Sequence, residues 1–315
     1  MMKLTPRRAL CAGLLSLVCT EATATTYAYT LIEQPGALQT NAIAINASGT
    51  VLGYWVDSNY ADHGFTYANG KITSFDVPKA VSTFPNGINS KGEIVGTYQD
   101  SNYNTHGFIL SPKGKFTTVD LPGSGFTGLN AVNDKGVAVG IGADSAGNSE
   151  IFTYDHGVFT TIIDNGLSPV AVGINTEGSV AGYYDAPHTD ETSFLYANGS
   201  VVTIPIKGVY FAQSFGINNR NFVVGQVANT QHEEFGFIYD GNKGKVKLIG
   251  PPGSTDSFNT GINNHNVVVG VSAAANDNFT GYVYDRGAYS ILAIAGDTGV
   301  GATGINDSGQ VIGDY

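Results

Sequence analysis

One asparagine recurs through the chain at Asn46, Asn89, Asn133, Asn175, Asn218, Asn263 and Asn306, at steps of 43, 44, 42, 43, 45 and 43 residues. Each copy follows a small residue and an Ile or Val, as in Gly261-Ile262-Asn263, and each precedes a short Val- or Ile-rich run ending in glycine, as in Val267-Val268-Val269-Gly270. A period of 40 to 50 residues built from short apolar runs and turn residues marks one supersecondary unit repeated, and propeller blades are the commonest unit of that length. A unit of this kind buries its apolar face only against its neighbours, so the repeat fixes a stacked or ring-shaped architecture before any single strand is placed.

Within the second copy four strand-like runs stand out, at 83–88, 93–98, 107–110 and 115–119, each rich in Val, Ile, Phe, Tyr and Thr and bounded by Gly, Asn, Asp or Pro. No stretch carries a sustained 3.6-residue apolar period with caps, so the expectation is an all-β fold without helix. First and second runs are joined by turns such as Asn46-Ala47-Ser48-Gly49 and Asn89-Ser90-Lys91-Gly92, and third and fourth by Asn69-Gly70 or Asn198-Gly199. Asn at the head of a turn bonds its own backbone, and Gly supplies a positive φ. Both sets fall on one face of an up-and-down sheet. The remaining connections, including 57–63, 99–106, 143–150, 185–192, 228–234 and 274–279, read as longer irregular loops on the opposite face.

Seven Asn turns but only six third-strand runs, centred on Phe65, Phe108, Phe152, Phe194, Phe237 and Tyr282, predict a seven-bladed β-propeller closed by strands from both ends of the chain. Six blades are the alternative. A closed ring removes exposed sheet edges.

The first 24 residues carry the marks of a secretory signal peptide. Lys3, Arg7 and Arg8 form a basic head, residues 9–18 an apolar run too short to span a bilayer, and Ala22-Thr23-Ala24 a small-residue cleavage site. The expected organisation is a leader over 1–24 and a single domain over 25–315, secreted, periplasmic or at the cell surface. Cys11 and Cys19, the only cysteines, lie in the leader, so the mature chain holds together without disulfides. Lys and Arg number 15 against 26 Asp and Glu, a net charge of −11 that argues against nucleic acid or anionic lipid as partner.

The pieces Gly87-Ile88-Asn89, Val95-Gly96-Thr97-Tyr98, His106-Gly107-Phe108 and Asp120-Leu121-Pro122-Gly123 recur in that order along nearly all of 26–315. In this the chain resembles the bacterial HAF-type probable extracellular repeat family. The resemblance implies an exported repeat protein of β-propeller type and supplies no catalytic residues. Departures occur at Ile151-Phe152 and Ser193-Phe194, which lack the His-Gly, and at Pro205-Ile206, which replaces the Asp-x-Pro piece.

The repeated asparagines and third-strand aromatics read as structure. Binding residues are carried disproportionately by loops on rigid scaffolds, so the candidate ligand-binding set is drawn from the loop face: Asp57, Tyr60, Asp62, His63, Asp100, Tyr103, His106, Asp185, His188 and His232. No histidine pair has metal-ligand spacing. Calcium is the cofactor the loops suit, through Asp57, Asn59 and Asp62 in one and Asp144, Asn148 and Glu150 in another, although neither follows an EF-hand spacing. No Gly-x-Ser-x-Gly, His-Glu-x-x-His or phosphate-cradling loop occurs. The expectation is a non-catalytic module for an extracellular glycan or protein, not membrane-spanning. A carbohydrate-active enzyme working through paired carboxylates, and a structural envelope protein, are the alternatives.

Overall fold

The computed structural model describes residues 9–12, 27–144, 146–163, 167–186, 189–273, 279–294 and 299–315. All regular structure among them is strand, and no helix long and apolar enough to cross a membrane is present. The fold is a β-propeller. Strands follow one another up and down within each blade: the second blade runs Ser82–Ile88, Ile94–Gln99, Thr105–Leu110 and Phe116–Val119, paired in that order.

The sheets number six, five of four strands and one of eight. The eight-stranded sheet contains the sixth blade, 256–292, and the strands of the seventh repeat, Gly299–Ile305 and Val311–Asp314, joined by a short parallel pairing of Phe279 with Gly299 and Thr280 with Val300. Counted by sheets the ring therefore has the six blades held as the alternative, because the seventh repeat is merged into its neighbour. Val311–Asp314 pairs onward with Ala9–Ala12, which pairs with Tyr29–Leu31, so both ends of the chain contribute to that sheet. Ala9–Ala12 falls within the segment expected as a leader, and the expected cleavage point at Ala24 lies outside the described residues.

Each blade is built around a glycine facing an aromatic ring. Gly96 lies opposite Phe108 across the strand pair, as Gly53 does Phe65 and Gly225 does Phe237. A bulge in the first strand at Pro85/Gly87 carries the Phe84 carbonyl over Gly96, where a Cβ would lie 2.3 Å from that oxygen and 2.8 Å from the Phe108 ring. Only glycine fits, and the ring fills the space, with Phe65, Phe108, Phe152, Phe194 and Phe237 all fully buried. Such burial is worth about 2–3 kcal/mol per ring. The core lies between successive repeats. Leu52, Val77, Ile94 and Phe108 pack between first and second, while Ile32, Val51, Phe65 and Ile312 close last onto first.

At the axis the recurring asparagines form a ring. The Nδ2 of Asn46 donates to the Asn89 carbonyl at 3.1 Å, Asn89 to Asn133 at 3.0 Å, Asn133 to Asn175 at 2.9 Å and Asn175 to Asn218 at 3.2 Å. Asn218 continues to Asn263 at 2.9 Å, Asn263 to Asn306 at 3.0 Å, and Asn306 returns to Asn46 at 3.0 Å. Each Oδ1 meanwhile accepts two N–H groups of its own turn, for Asn89 those of Lys91 and Glu93. All seven side chains are buried with these bonds made.

On the opposite face the structure corrects one expectation. Residues 57–61, 100–104 and 229–233 are five-residue turns of the same grammar as the Asn turns, and Asp144 accepts from Ala146 and Asn148 in the same pattern, where irregular loops were expected. The first residue's Oδ1 accepts the N–H groups of the third and fifth, as Asp100 does from Asn102 at 2.8 Å and Asn104 at 2.9 Å, and the backbone closes from Asp100 N–H to the Asn104 carbonyl. The flanking strands consequently run on to pair Val56 with Asp62 and Gln99 with Thr105.

Candidate binding face

The fourth residue of this turn needs a positive φ. On the Asn-turn face glycine usually supplies it, at Gly49, Gly92, Gly136, Gly178 and Gly309, and in the third blade's opposite turn Gly147 does so. The first, second and fifth blades instead carry Tyr60, Tyr103 and His232 there, with φ of 65°, 64° and 64°. The left-handed region costs an L-residue about 1–2 kcal/mol. Side-chain packing does little to offset that cost, because Tyr60 and Tyr103 are 81% and 72% exposed. Their rings stand at the crests of neighbouring blades, while His232 Nδ1 lies 3.3 Å from the Tyr210 hydroxyl in the fifth.

Beneath each tyrosine crest sits a clasped histidine. His63 Nδ1 is 2.9 Å from Asp76 Oδ1, its Nε2 is 3.7 Å from Asp57 Oδ2, and its ring stacks on Trp55 at 4.2 Å. His106 repeats the arrangement with Asp120 at 2.8 Å, Asp100 at 3.6 Å and Tyr98 at 5.1 Å. The Trp55 Nε1–H donates to Ser74 Oγ, and the Tyr98 hydroxyl meets Thr118 Oγ1. The hydrogen bond to Asp120, then the charges of Asp120 and Asp100, raise the His106 pKa. Bonds from the Asn104 side chain and backbone bring Asp100 down to about 2. The clasps explain two recurring motifs at once: the His of His-Gly-Phe holds the Asp of Asp-x-Pro, and the fourth repeat departs from both.

The candidate calcium ligands are engaged within the protein. Asp57 Oδ1 accepts from the Asn59 and Ala61 N–H groups and its Oδ2 from Asn59 Nδ2, bonds that lower its pKa. Asp62 Oδ2 accepts from Ser82 Oγ in the next blade. Asp144 is bonded by Asn148 through both side chain and backbone, and Glu150 Oε2 accepts from Thr161. Among the described residues no three His, Cys, Asp or Glu side chains group at metal-binding distances. Asp185 is exposed, its N–H bonded to the Leu167 carbonyl, and His188 lies outside the described residues.

A cavity of about 680 Å³ opens between the sixth blade and the closing strands, with Glu234, Phe258, Phe279, Asp314 and Tyr315 among its walls. Burial, then the nearby Asp256 carboxylate, pushes the Glu234 carboxyl up, while Gln226 Nε2 donates to its Oε2 at 2.6 Å. Glu234, Asp314, Trp55 and Asp76 were not in the sequence-derived set. The paired recurrence of His-Gly-Phe with Asp-x-Pro was the available signal for Asp76.

No family model matches the sequence, and no curated protein does. Among solved structures the chain is similar to the β-propeller domain of the Trilobed protease from Pyrococcus furiosus, described as having an open velcro topology, at 13% identity over 87% of this chain and 88% of that one with a TM-score of 0.61. It is also similar to a prolyl endopeptidase, at 12% identity over 85% of this chain and 44% of that one with a TM-score of 0.62. The SapL1 lectin, solved with alpha methyl fucoside, overlaps at 12% identity over 80% of this chain and 94% of that one with a TM-score of 0.48, a likeness that says nothing about this chain's ligand. These similarities bear on the fold class, a β-propeller.

Proposed function

We propose that the chain is an exported, non-catalytic β-propeller binding module of the HAF-type extracellular repeat kind, which recognises a glycan or protein partner through the face bearing Tyr60, Tyr103 and His232. The observation that carries the reading is the placement of exposed aromatics at positive φ, where glycine would make the same turn without strain. Strain kept at exposed side chains calls for a role outside the fold. Tyrosine suits one, since its ring lies flat on sugar C–H faces or apolar side chains while its hydroxyl stays hydrogen-bonded. The clasped His63 and His106 stiffen the strands below the crests, so the rings are held ready for a ligand with little ordering left to do.

A glycan array read with the wild-type chain and with Tyr60→Ala/Tyr103→Ala tests this. A saturable hit that disappears in the folded double variant supports the reading, and a hit that survives it refutes the face.

A second reading, a carbohydrate-active hydrolase, is favoured by the cavity lined by Glu234 and Asp314 from different repeats, because two carboxyl groups facing one cavity, one of them with its pKa raised by burial, suit glycoside cleavage. Reducing-end release from a polysaccharide panel, abolished by Glu234→Gln, would support that reading. Release that Glu234→Gln leaves intact would exclude this cavity as its source.

A further inference from the structure

On the Asn-turn face, the junction of the fifth and sixth blades forms a groove of about 560 Å³ that neither the repeat pattern nor the proposed function accounts for. Its floor is apolar, made by Phe222, Ile238, Val246 and Tyr284. Its rim is basic. Arg220 and Lys245 come from the fifth blade, Arg286 and His265 from the sixth, and Lys247 crosses between them, donating to the Tyr284 hydroxyl with its ammonium 5.0 Å from that ring's centroid.

This grouping stands against the composition of the chain, which has 15 Lys and Arg and a net charge of −11, since four of those cations line a single groove. The acid within the lining, Asp240, is already committed. Its Oδ2 pairs with Lys243 at 3.2 Å, outside the groove lining, and its Oδ1 accepts the N–H groups of Asn242 and Lys243. Arg286 has Asp285 at 3.7 Å. Arg220, Lys245 and Lys247 have no carboxylate within ion-pair distance among the described residues, so their charge is open to a ligand.

We propose that this groove binds an acidic glycan, its pyranose rings lying on the Phe222–Tyr284 floor and its carboxylate or sulfate groups meeting Arg220, Lys245, Lys247 and Arg286. Separated cations around an apolar floor fit a chain with spaced charges and apolar sugar faces, whereas a lone phosphate would want donors converging on one point. The site lies on the opposite face from Tyr60 and Tyr103 and stands or falls separately from the function proposed above.

The test is calorimetric titration of the purified chain with oligogalacturonate, with sulfated dextran oligosaccharide and with neutral maltopentaose, at low and high salt. Binding of either acidic oligomer, weakened by salt and absent for maltopentaose, supports the proposal, and the preferred oligomer tells carboxylate from sulfate. Arg220→Gln/Lys245→Gln should weaken binding by about tenfold or more. Arg286→Gln, from the other blade, should weaken it independently, so that a folding defect in one variant does not decide the matter. Tyr60→Ala/Tyr103→Ala should leave it unchanged. Equal binding of maltopentaose, unchanged affinity in both folded groove variants, no binding of either acidic oligomer, or tighter binding of a single-stranded oligonucleotide than of either glycan would overturn it.

Discussion

Replacing Asn263 by Ala tests the axial ring at one link. Its side chain is 5% exposed and makes three hydrogen bonds: Oδ1 accepts the N–H groups of His265 and Val267, each at 3.0 Å, and Nδ2 donates to the Asn306 carbonyl at 3.0 Å. Alanine removes all three and supplies no substitute. With a net value near 1 kcal/mol per bond, and more where a group stays buried and unpaired, the loss should reach about 3 kcal/mol. For a chain of this size that is a fall in Tm of about 5 °C. Asn263→Asp separates the two roles, keeping the acceptor while turning a carboxylate on the Asn306 carbonyl. It should be at least as damaging at neutral pH and recover in part as the pH falls and the buried acid takes up a proton, since the protonated form can donate. Urea unfolding followed by tryptophan fluorescence reads the change through Trp55. A loss below about 1 kcal/mol in Asn263→Ala would refute the reasoning, because a fully bonded buried side chain cannot be removed so cheaply.

Three further outcomes follow from the same geometry. Tyr60→Gly and Tyr103→Gly should hold or raise the unfolding free energy, since relief of about 1–2 kcal/mol of left-handed strain outweighs the roughly 0.5–1 kcal/mol of extra chain entropy, while Gly147→Ala should lower it. The reverse ordering in urea melts would count against the turn assignment. For His106 the folded pKa is raised, so its contribution is complete below the unfolded value near 6.5 and fades as pH climbs through the folded value. For Asp100, held at about 2, the contribution is present above 3.8 and fades as pH falls toward 2. The Tm gap between wild type and His106→Asn should therefore narrow on the alkaline side, and a gap that widens there would contradict the clasp. Finally, a chain starting at Thr25 lacks Ala9–Ala12, so amide exchange at Ile312 and Gly313, which that strand pairs, should quicken. Unchanged protection would show that the closing sheet does without it.

Much of the ring was legible because its rules are local. Asn-x-x-Gly turns and glycine opposite an aromatic each lie within one repeat, and the strand boundaries of the second repeat moved by two residues or fewer at each end. The opposite face was misread for a physical reason. In these turns either Asp replaces Asn at the head, as at Asp57, Asp100 and Asp144, or a side chain replaces glycine at the positive φ, as at Tyr60, Tyr103 and His232, so a tight turn looked like an irregular loop. The merging of the seventh repeat depends on a pairing of Phe279 with Gly299 that no periodicity announces. Glu234 and the basic rim of Arg220, Lys245 and Arg286 become sites only when neighbouring repeats are packed together, which is tertiary information.

The most direct test of the account is binding measured with Tyr60→Gly/Tyr103→Gly, the substitution that keeps the turn and removes the rings. A ligand identified for the wild-type chain by glycan array or by cross-linking should bind the double variant at least tenfold more weakly, by about 1.4 kcal/mol, with no fall in Tm. Equal affinity in a variant of unchanged stability would contradict it, and the strained tyrosines would then have no external role.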